Sequence, residues 1–201
     1  LAHIKQKEKT LKEKSIFLVA RSFDINKPGT DIKELHGGVL GGALKQGTLK
    51  VGDTIEIKPG YSYKKHNEYK YKTVTSKIVS MQKGEHQITV ATPGGSLAIE
   101  TELDPSLTKA DSLSGGLASK EGELEDISDV ITMNTELFTE VIGDDTHNQI
   151  ENIKNGELLM LSINTSRTVG QVTKIGKDTA ELKLKIPIVP LKGNTVGIAR
   201  N

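Results

Sequence analysis

The sequence contains no cysteine and no tryptophan, and aromatic residues make up only 3% of its 201 residues. Without cysteine the chain can form neither a disulfide bond nor a cysteine-ligated metal site. Its five histidines are scattered without metal-ligand spacing, so the sequence predicts no metal site. No apolar run approaches the ~20 residues that span a bilayer, and no signal-peptide core follows the lysine-rich start. We therefore expect a cytoplasmic protein that makes no contact with a membrane.

The sequence also has almost no excess of one charge sign, since the formal net charge is only +1. A nucleic-acid-binding surface would therefore have to come from a local cluster and not from the chain as a whole. None of the glycine-rich stretches continues into the Gly-x4-Gly-Lys-[Ser/Thr] pattern of a phosphate-binding loop. The sequence also offers no assembled set of nucleophile, base and orienting group. The sequence therefore predicts no catalytic centre.

Short β-like runs dominate what is present. Residues 1–14 carry five lysines and two glutamates without an apolar face, which indicates an exposed linker that enters from a further domain. From Ser15 onward, β-like runs are separated by Gly, Pro and Asp, and no 3.6-residue periodicity is present. This pattern predicts an all-β protein whose antiparallel strands close into barrels. The predicted strands are residues 16–20, 37–44, 48–58, 73–81, 86–92, 96–100, 130–142, 157–166, 167–176, 179–189 and 195–200.

An acidic, glycine-rich stretch at 114–129 divides the chain, and we expect a strand pattern to resume only after it. With the boundary near Gly122, the sequence predicts a first β-barrel at 15–119, a linker at 120–128 and a second β-barrel at 129–201. The chain stops directly after the last predicted strand. We therefore expect the second barrel to be truncated and to present an unpaired edge.

The most unusual segment is residues 61–72, in which all four tyrosines of the chain are interleaved with four lysines. Lysines pair with phosphates while tyrosine rings stack on bases, so the segment is a candidate RNA contact. The alternative is a long solvated hairpin loop whose tyrosines pack on the rim of the barrel. The candidate contact residues are Tyr61, Tyr63, Lys64, Lys65, Tyr69, Lys70, Tyr71 and Lys72.

Residues 26–29, NKPG, begin like the Asn-Lys-x-Asp motif that reads guanine, but Gly29 stands where the base-pairing carboxylate is required. Pro28 followed by Gly29 is typical of the corners of a type II turn. The segment therefore predicts a turn and not a guanine site.

A series of motifs runs through the chain in order. It comprises RSFDINKPG (21–29), GGV (37–39), LKVGDTIEIKPG (49–60), SKIVSM (76–81), PGGSLAI (93–99), LDPSLTKADSLSGG (103–116), NGELLMLSINTSRTVGQV (155–172) and LKIPIVPLKGNTVGIAR (184–200). Together these motifs resemble domains two and three of the gamma subunit of the archaeal and eukaryotic initiation factor that delivers initiator tRNA. The likeness covers almost the whole chain and is weakest at 61–72 and 120–150.

The resemblance implies two consecutive antiparallel β-barrels of the kind found in elongation-factor-like translational GTPases. In that family the barrels follow a GTPase domain, which would bind GTP and magnesium, so the resemblance implies no cofactor for this fragment. It implies four partners: initiator methionyl-tRNA, the alpha subunit docked on domain two, the beta subunit docked mainly on the GTPase domain, and the small ribosomal subunit. The fragment itself is expected to bind and not to catalyse.

Carried over residue by residue, the resemblance also implies a site for the aminoacyl end of the tRNA. An arginine there can meet a phosphate, glycines let a terminal adenosine or ester approach the backbone, and an apolar strand packs against a base or the methionine side chain. The projecting loop is assigned to subunit docking. The acceptor-end residues are Arg21, Ser22, Phe23, Ile78, Val79, Gly94, Gly95 and Ser96, and the docking residues are Asn26, Lys27 and Pro28.

Two departures from the family bear on this site. The family usually has Gly-Val-Gly-Thr where this chain has Ala98-Ile99-Glu100-Thr101, so added bulk and charge are expected near the aminoacyl end. The elongation factors place a glutamate near the position of Val79, and none stands there in this sequence. There are two alternatives to the gamma-subunit interpretation. One is the barrel pair of a selenocysteine-specific elongation factor, which the motif RSFDINKPG does not favour. The other is a scaffold that binds only proteins and shows no salt-dependent affinity for RNA.

Overall fold

The computed structural model describes residues 11–140 and 149–200, and in this part of the chain nearly all regular structure is β, as predicted. The remaining regular elements are three 3₁₀ turns at Ile32–Glu34, Pro105–Leu107 and Lys109–Asp111. The strands of the first half are β1 (Ile16–Phe23), β2 (Val39–Gln46), β3 (Leu49–Lys50), β4 (Thr54–Lys65), β5 (Glu68–Lys83), β6 (His86–Ile88), β7 (Val90–Ala91), β8 (Leu97–Thr101) and β9 (Leu117–Lys120). Those of the second half are β10 (Ser128–Asn134), β11 (Leu158–Ile163), β12 (Ser166–Ile175), β13 (Thr179–Ile188) and β14 (Val196–Ala199).

The first sheet closes into a barrel. Its strand order is β4-β9-β1-β2-β8-β5-β6, and β4 also pairs with β5, so six antiparallel strands form a continuous ring with β6 added at β5. Alternate residues along each strand point inward. Leu40, Ile99 and Met81 lie side by side on β2, β8 and β5, and all three are fully buried. The predicted antiparallel barrel is confirmed for this half.

Strand β9 corrects one prediction. It lies within 114–129, where the sequence was expected to hold no strand, yet it pairs with both β1 and β4 and completes the ring. The strand has only four residues and is followed by an acidic stretch, so it is too short to show an alternating pattern. Its stability comes from the two neighbouring strands and from burial of Leu117, Ala118 and Ser119.

The second sheet has five antiparallel strands in the order β10-β13-β12-β11-β14. Leu159, Leu161 and Leu182 are fully buried at the centre of its core. The strand predicted at 130–142 is shorter than expected, because β10 ends at Asn134, and residues 141–142 lie outside the described residues.

A third apolar cluster lies between the two sheets and contains Ile16, Leu117, Leu124 and Val189. The connecting segment is fixed there by hydrogen bonds as well, since the Leu124 backbone N–H donates to a Glu56 carboxylate oxygen at 2.9 Å. The Lys58 ammonium donates to the Leu124 carbonyl at 3.1 Å. The segment predicted as a linker at 120–128 is therefore packed against the first barrel over part of its length. The domain limits themselves stay a prediction, and the first ten residues of the predicted linker at 1–14 lie outside the described residues.

Candidate nucleic-acid interface

Most of the residues predicted at the acceptor-end site lie on or beside one outward face of the barrel, formed by β1, β2, β8 and β5, but Ser22 and Ile78 point into the barrel. Strand register creates two outward rows, because directly paired residues share a side of the sheet. Neighbouring strands are about 4.8 Å apart, so Arg21 lies roughly 10 Å from Ala98 across the bare backbone of Gly41. We call this surface the strand face. Its rows are Arg21, Gly41, Ala98 and Gln82, and Phe23, Val39, Glu100 and Ser80, of which Val39 is covered and buried.

Arg21 is exposed but held in place. Its Nε donates to both carboxylate oxygens of Asp111, at 2.8 and 3.0 Å, while 68% of its side chain is accessible to solvent. Ala110 and Asp111 have φ values of 55° and 59°, a left-handed conformation that non-glycine residues rarely adopt. The Arg21 guanidinium, followed by the Ser22 amide, lowers the pKa of Asp111. A strained turn thus holds the ionised Asp111 carboxylate against Nε of the exposed Arg21 side chain.

The two residues that follow Arg21 differ in exposure. Ser22 is 1% exposed, and its hydroxyl accepts a hydrogen bond from the Leu113 backbone N–H at 3.0 Å. Ser22 therefore anchors the strand end and presents no side-chain group at the surface. Phe23 is 36% exposed, and the Thr108 hydroxyl donates to its carbonyl at 3.1 Å. Of the pair, only Phe23 can offer its side chain to a ligand.

Two β-bulges flank the strand face. Register shifts between Val19 and Arg21 and between Ile78 and Ser80 leave one extra residue on β1 and one on β5. Bulges re-aim side chains, and the one on β5 leaves Val79 46% exposed while Ile78 is 1% exposed. The Ile78 side chain therefore belongs to the barrel core, and only Val79 of the predicted pair reaches the surface.

The predicted glycine turn lies before β8, at the far end of the strand face from Phe23. Gly94 and Gly95 have φ values of 123° and 74°, and both are exposed together with Ser96. A cavity of about 190 Å³ lies beside the turn and is lined in part by Leu44 and Lys83. Because these glycines carry no side chain, a ligand can approach the backbone here.

Glu100 occupies the middle of the strand face and is held by two neighbours. The Ser80 hydroxyl donates to Glu100 Oε2 at 2.7 Å, and His36 Nδ1 lies 2.7 Å from Glu100 Oε1. Burial raises the pKa of Glu100, but hydrogen bonds from Ser80 and His36 outweigh it, so the net pKa is lowered. The family departure noted in the sequence thus places an oriented carboxylate between the Arg21 side and the Val79 side of the face.

The predicted docking residues lie in the loop between β1 and β2. The Asn26 side chain bonds both backbone groups of His36: its amide donates to the carbonyl and its oxygen accepts the N–H, each at 2.8 Å. The predicted turn is confirmed, because the Thr30 N–H donates to the Lys27 carbonyl at 3.2 Å and Gly29 has φ +87°. The loop presents three exposed apolar side chains, Ile25 at 48%, Ile32 at 85% and Leu35 at 43%.

The segment at 61–72 is not a loop. Residues Tyr61 to Lys65 pair with Glu68 to Lys72 as an antiparallel ribbon that continues β4 and β5 beyond the barrel. His66 and Asn67 form its tip with φ values of 48° and 69°, as a two-residue hairpin turn requires. The interpretation as a solvated hairpin loop was wrong about the backbone. A ribbon with polar residues on both faces lacks the apolar alternation by which a strand is recognised in a sequence.

Sequence reasoning missed several of these partners. Asp111, Ser80 and His36 join the site only through tertiary contacts, with Arg21 for the first and with Glu100 for the other two. No local spacing announces such contacts. The positive φ at two consecutive non-glycine residues is a structural signal and has no counterpart in the sequence. In the described residues no group of three or more His, Asp or Glu side chains is arranged to hold a metal ion, and no helix is long and apolar enough to cross a membrane.

Several known proteins have similar sequences. The chain is 46% identical over 183 residues to the translation initiation factor 2 subunit gamma of Thermococcus kodakarensis, a match that covers 91% of this chain and 45% of that protein. For the subunit of the same name from Pyrococcus abyssi, the identity is 46% and the coverage is 91% and 44%. The chain thus spans less than half of the length of these relatives.

One solved structure supports the fold. The crystal structure of the bacterial selenocysteine-specific elongation factor EF-Sec superimposes with a TM-score of 0.69 and covers 96% of this chain and 27% of that one. Its sequence identity is only 21%, so the likeness extends to the fold of paired β units and no further. The sequence relationship lies with the gamma subunits and not with the selenocysteine-specific factor.

A protein-family model also matches the second half of the chain. The C-terminal domain of initiation factor eIF2 gamma matches residues 129–201. With this domain and with 46% identity along 91% of its length, the chain belongs to the family of the translation initiation factor 2 gamma subunits.

Proposed function

We propose that this chain is the RNA-binding and subunit-docking part of a factor that delivers methionylated initiator tRNA to the small ribosomal subunit. Hydrolysis of GTP, with magnesium, belongs to another domain of the whole protein, and the beta subunit docks mainly on that domain. The two β units bind and do not catalyse.

The observation that carries this proposal is the anchored, exposed Arg21 at the edge of the strand face, next to the side-chain-free position of Gly41. A guanidinium that is already oriented loses less conformational entropy when it meets a phosphate. Phe23 offers an exposed ring beside it for a base, and Gly41 and the Gly94–Gly95 turn leave the backbone open to a ribose or an ester. Such a surface suits the unpaired 3′ end of a tRNA, whose bases stack and whose phosphates seek cations.

Glu100 sets a limit on how the RNA end is oriented. An ionised carboxylate repels phosphate but accepts hydrogen bonds from ribose hydroxyls or from the α-ammonium group of an aminoacyl ester. The phosphates should therefore lie on the Arg21 side, and the terminal ribose and methionyl ester should lie nearer to Glu100.

The loop between β1 and β2, which the Asn26–His36 hydrogen bonds hold in place, is the proposed docking site for the alpha subunit. Its three exposed apolar side chains are held on a backbone that the Asn26–His36 hydrogen bonds have already ordered. A preordered apolar projection with a lysine at its tip has the features of a protein interface.

Two titrations test the proposal. Calorimetry of this chain with the C-terminal domain of the alpha subunit should give one-to-one binding, and absence of heat with a folded chain would contradict the docking role. Full-length gamma subunit that contains this chain should bind methionylated initiator tRNA with an affinity that falls as salt rises. A scaffold that binds only proteins would show no such salt-dependent affinity for RNA.

A further inference from the structure

The ribbon at 61–72 contains most of the aromatic residues of the chain but contributes little to its core. The chain has four tyrosines, three phenylalanines and no tryptophan, and all four tyrosines lie in the ribbon. Phe17 is the one aromatic residue among the buried core side chains of the described residues. By contrast, Tyr63 is 41% exposed and Tyr69 is 68% exposed. Tyr61 packs against the barrel core, but packing does not explain the exposed rings of Tyr63 and Tyr69.

Strand register places a lysine directly across from three of the four tyrosines. The cross-strand pairs are Tyr61 with Lys72, Tyr63 with Lys70, and Lys64 with Tyr69. Directly opposite side chains lie about 5 Å apart at Cβ, so each pair presents a ring and an ammonium group together. The first two pairs lie on one face of the ribbon and the third lies on the other.

The charge of the ribbon is positive and largely uncompensated. Four lysines face one carboxylate, Glu68, which forms an exposed ion pair with Lys70 at 2.7 Å. Lys64, Lys65 and Lys72 have no ion pair among the described residues. The net charge of the whole chain is only +1, so this ribbon is a local cationic feature and not a part of a general basic surface.

We infer that this ribbon binds an unpaired RNA strand that passes around it: bases stack on Tyr63 on one face and on Tyr69 on the other, and phosphates pair with Lys64, Lys65 and Lys72. A two-stranded ribbon does not enter the deep, narrow major groove of an RNA duplex, whereas unpaired bases can reach exposed rings. Each face places a ring beside a lysine, and a single strand likewise offers a base beside a phosphate at every nucleotide. The inference does not rest on the acceptor-end proposal.

The ribbon is separate from the strand face. Tyr69 and Ser80 lie on the same strand, and eleven residues of strand span roughly 36 Å. One unpaired 3′ end therefore cannot fill both surfaces, and the ribbon must contact a different part of the RNA or a different RNA molecule.

The test uses this chain and a fluorescent oligouridine of about 12 nucleotides, which has no CCA end and no amino acid. Anisotropy titrations over a range of salt concentrations should show single-strand binding that weakens as salt rises. Replacing Lys64, Lys65 and Lys72 with Gln should reduce the slope of log affinity against log salt by about 2. Replacing Lys174, Lys177 and Lys192 with Gln, all in the second half of the chain, should leave the slope unchanged.

The rings are tested separately. Tyr63→Leu with Tyr69→Leu should weaken binding by about fivefold or more for each ring, and Tyr63→Phe with Tyr69→Phe should preserve it, since phenylalanine keeps the stacking face. Arg21→Ala, titrated with methionylated initiator tRNA in the full-length subunit, reports on the strand face, so failure of the ribbon and failure of the strand face can be told apart. The proposal is overturned if the folded parent chain binds no oligouridine at low salt, if the leucine variants bind normally, or if a duplex or an acidic peptide binds as tightly.

Discussion

Asp111 accepts hydrogen bonds from Arg21 Nε at 2.8 Å and from the Ser22 backbone N–H at 3.0 Å, although 90 residues separate Asp111 from Arg21. One carboxylate therefore fixes both the outward side chain and the backbone at the end of β1. The turn that carries it is strained, and strain of this kind persists only where surrounding contacts enforce it. The orientation of the Arg21 guanidinium is thus a property of the folded barrel and not of the local sequence.

The first prediction concerns this anchor. Asp111→Asn keeps the shape of the side chain and suits the left-handed backbone, but it removes the charge that orients Arg21. We expect the thermal midpoint to change little, because the pair is exposed, and tRNA affinity of the full-length subunit to fall several-fold. Arg21→Ala should cost about tenfold or more, since it removes the charge-assisted contact itself. Asp126→Asn is the control, and equal tRNA affinity of all three variants would exclude this role.

The second prediction distinguishes a glycine that matters for tRNA binding, Gly41, from one that matters for folding, Gly42. An added Cβ at Gly41 would meet Phe23 Cε1 at 3.5 Å, an ordinary contact, whereas at Gly42 it would lie 1.9 Å from the Leu18 carbonyl oxygen. Gly41→Ala should therefore fold normally and weaken tRNA binding by covering the backbone at this position. Gly42→Ala should lower the free energy of unfolding by about 2 kcal/mol or more. Urea unfolding and tRNA titration of both variants check this, and an unstable Gly41→Ala would refute the proposed geometry.

Strand positions could be predicted from the sequence where turn residues and alternation coincide. The run at 179–189 alternates apolar and polar residues and ends near proline, and it corresponds closely to β13. Strand β9 could not be found this way, because a four-residue strand is defined by the two partners that it joins. The ribbon was missed as a strand pair for a different reason, since neither of its faces is buried.

The site could be predicted only as a set of separate residues. Which side chains become neighbours depends on strand order and register, so the contact of Glu100 with Ser80 follows from the pairing of β8 with β5. Burial divides the predicted residues as well: Phe23 and Val79 are exposed, but Ser22 and Ile78 point into the barrel. Sequence likeness cannot make that distinction, because it carries over positions and not the direction of side chains.

The third prediction tests the docking loop. Lys27→Glu reverses a charge at the tip of the loop and should weaken alpha-subunit binding, measured by calorimetry with that subunit's C-terminal domain. Asn26→Ala removes both hydrogen bonds to His36 and should weaken the same binding through a larger entropy cost, because the loop must then be ordered on docking. Lys174→Glu, in the second half of the chain, is the charge control. Unchanged affinity in both loop variants would place the docking site elsewhere.

The fourth prediction is a pH dependence of stability that involves Glu123. Burial raises the pKa of Glu123, but hydrogen bonds from Ser15 and Ser119 lower it by more. The folded pKa of Glu123 therefore lies below its unfolded value. Its contribution to stability is therefore fully present above the ordinary glutamate pKa, near 4.3, and is lost as the pH falls through the folded pKa. Glu123→Gln should lower the free energy of unfolding at pH ~7 more than at pH ~4. Glu121→Gln is the control, and a deficit in Glu123→Gln that is equal at both pH values would contradict this account.

The last prediction concerns the contact between the two β units. Glu56 and Lys58 form an ion pair at 3.4 Å with only 8% and 12% of their side chains exposed, and both also bond the backbone of the connecting segment. Lys58→Met leaves the Glu56 carboxylate buried without its cation, which should lower the free energy of unfolding by about 3 kcal/mol. Glu56→Gln should cost less, because Lys58 keeps the carbonyls of Leu124 and Glu125 as acceptors.

The double variant decides between a loss of charge pairing and a loss of packing. If the cost comes from an unpaired buried charge, Glu56→Gln combined with Lys58→Met should be less destabilised than the sum of the single variants. Lys183→Met breaks an exposed pair with Asp129 and should cost less than about 1 kcal/mol. Urea unfolding of the four variants supplies the comparison. A Lys58→Met variant as stable as Lys183→Met would mean that the apolar cluster around Leu124, and not the ion pair, holds the two units together.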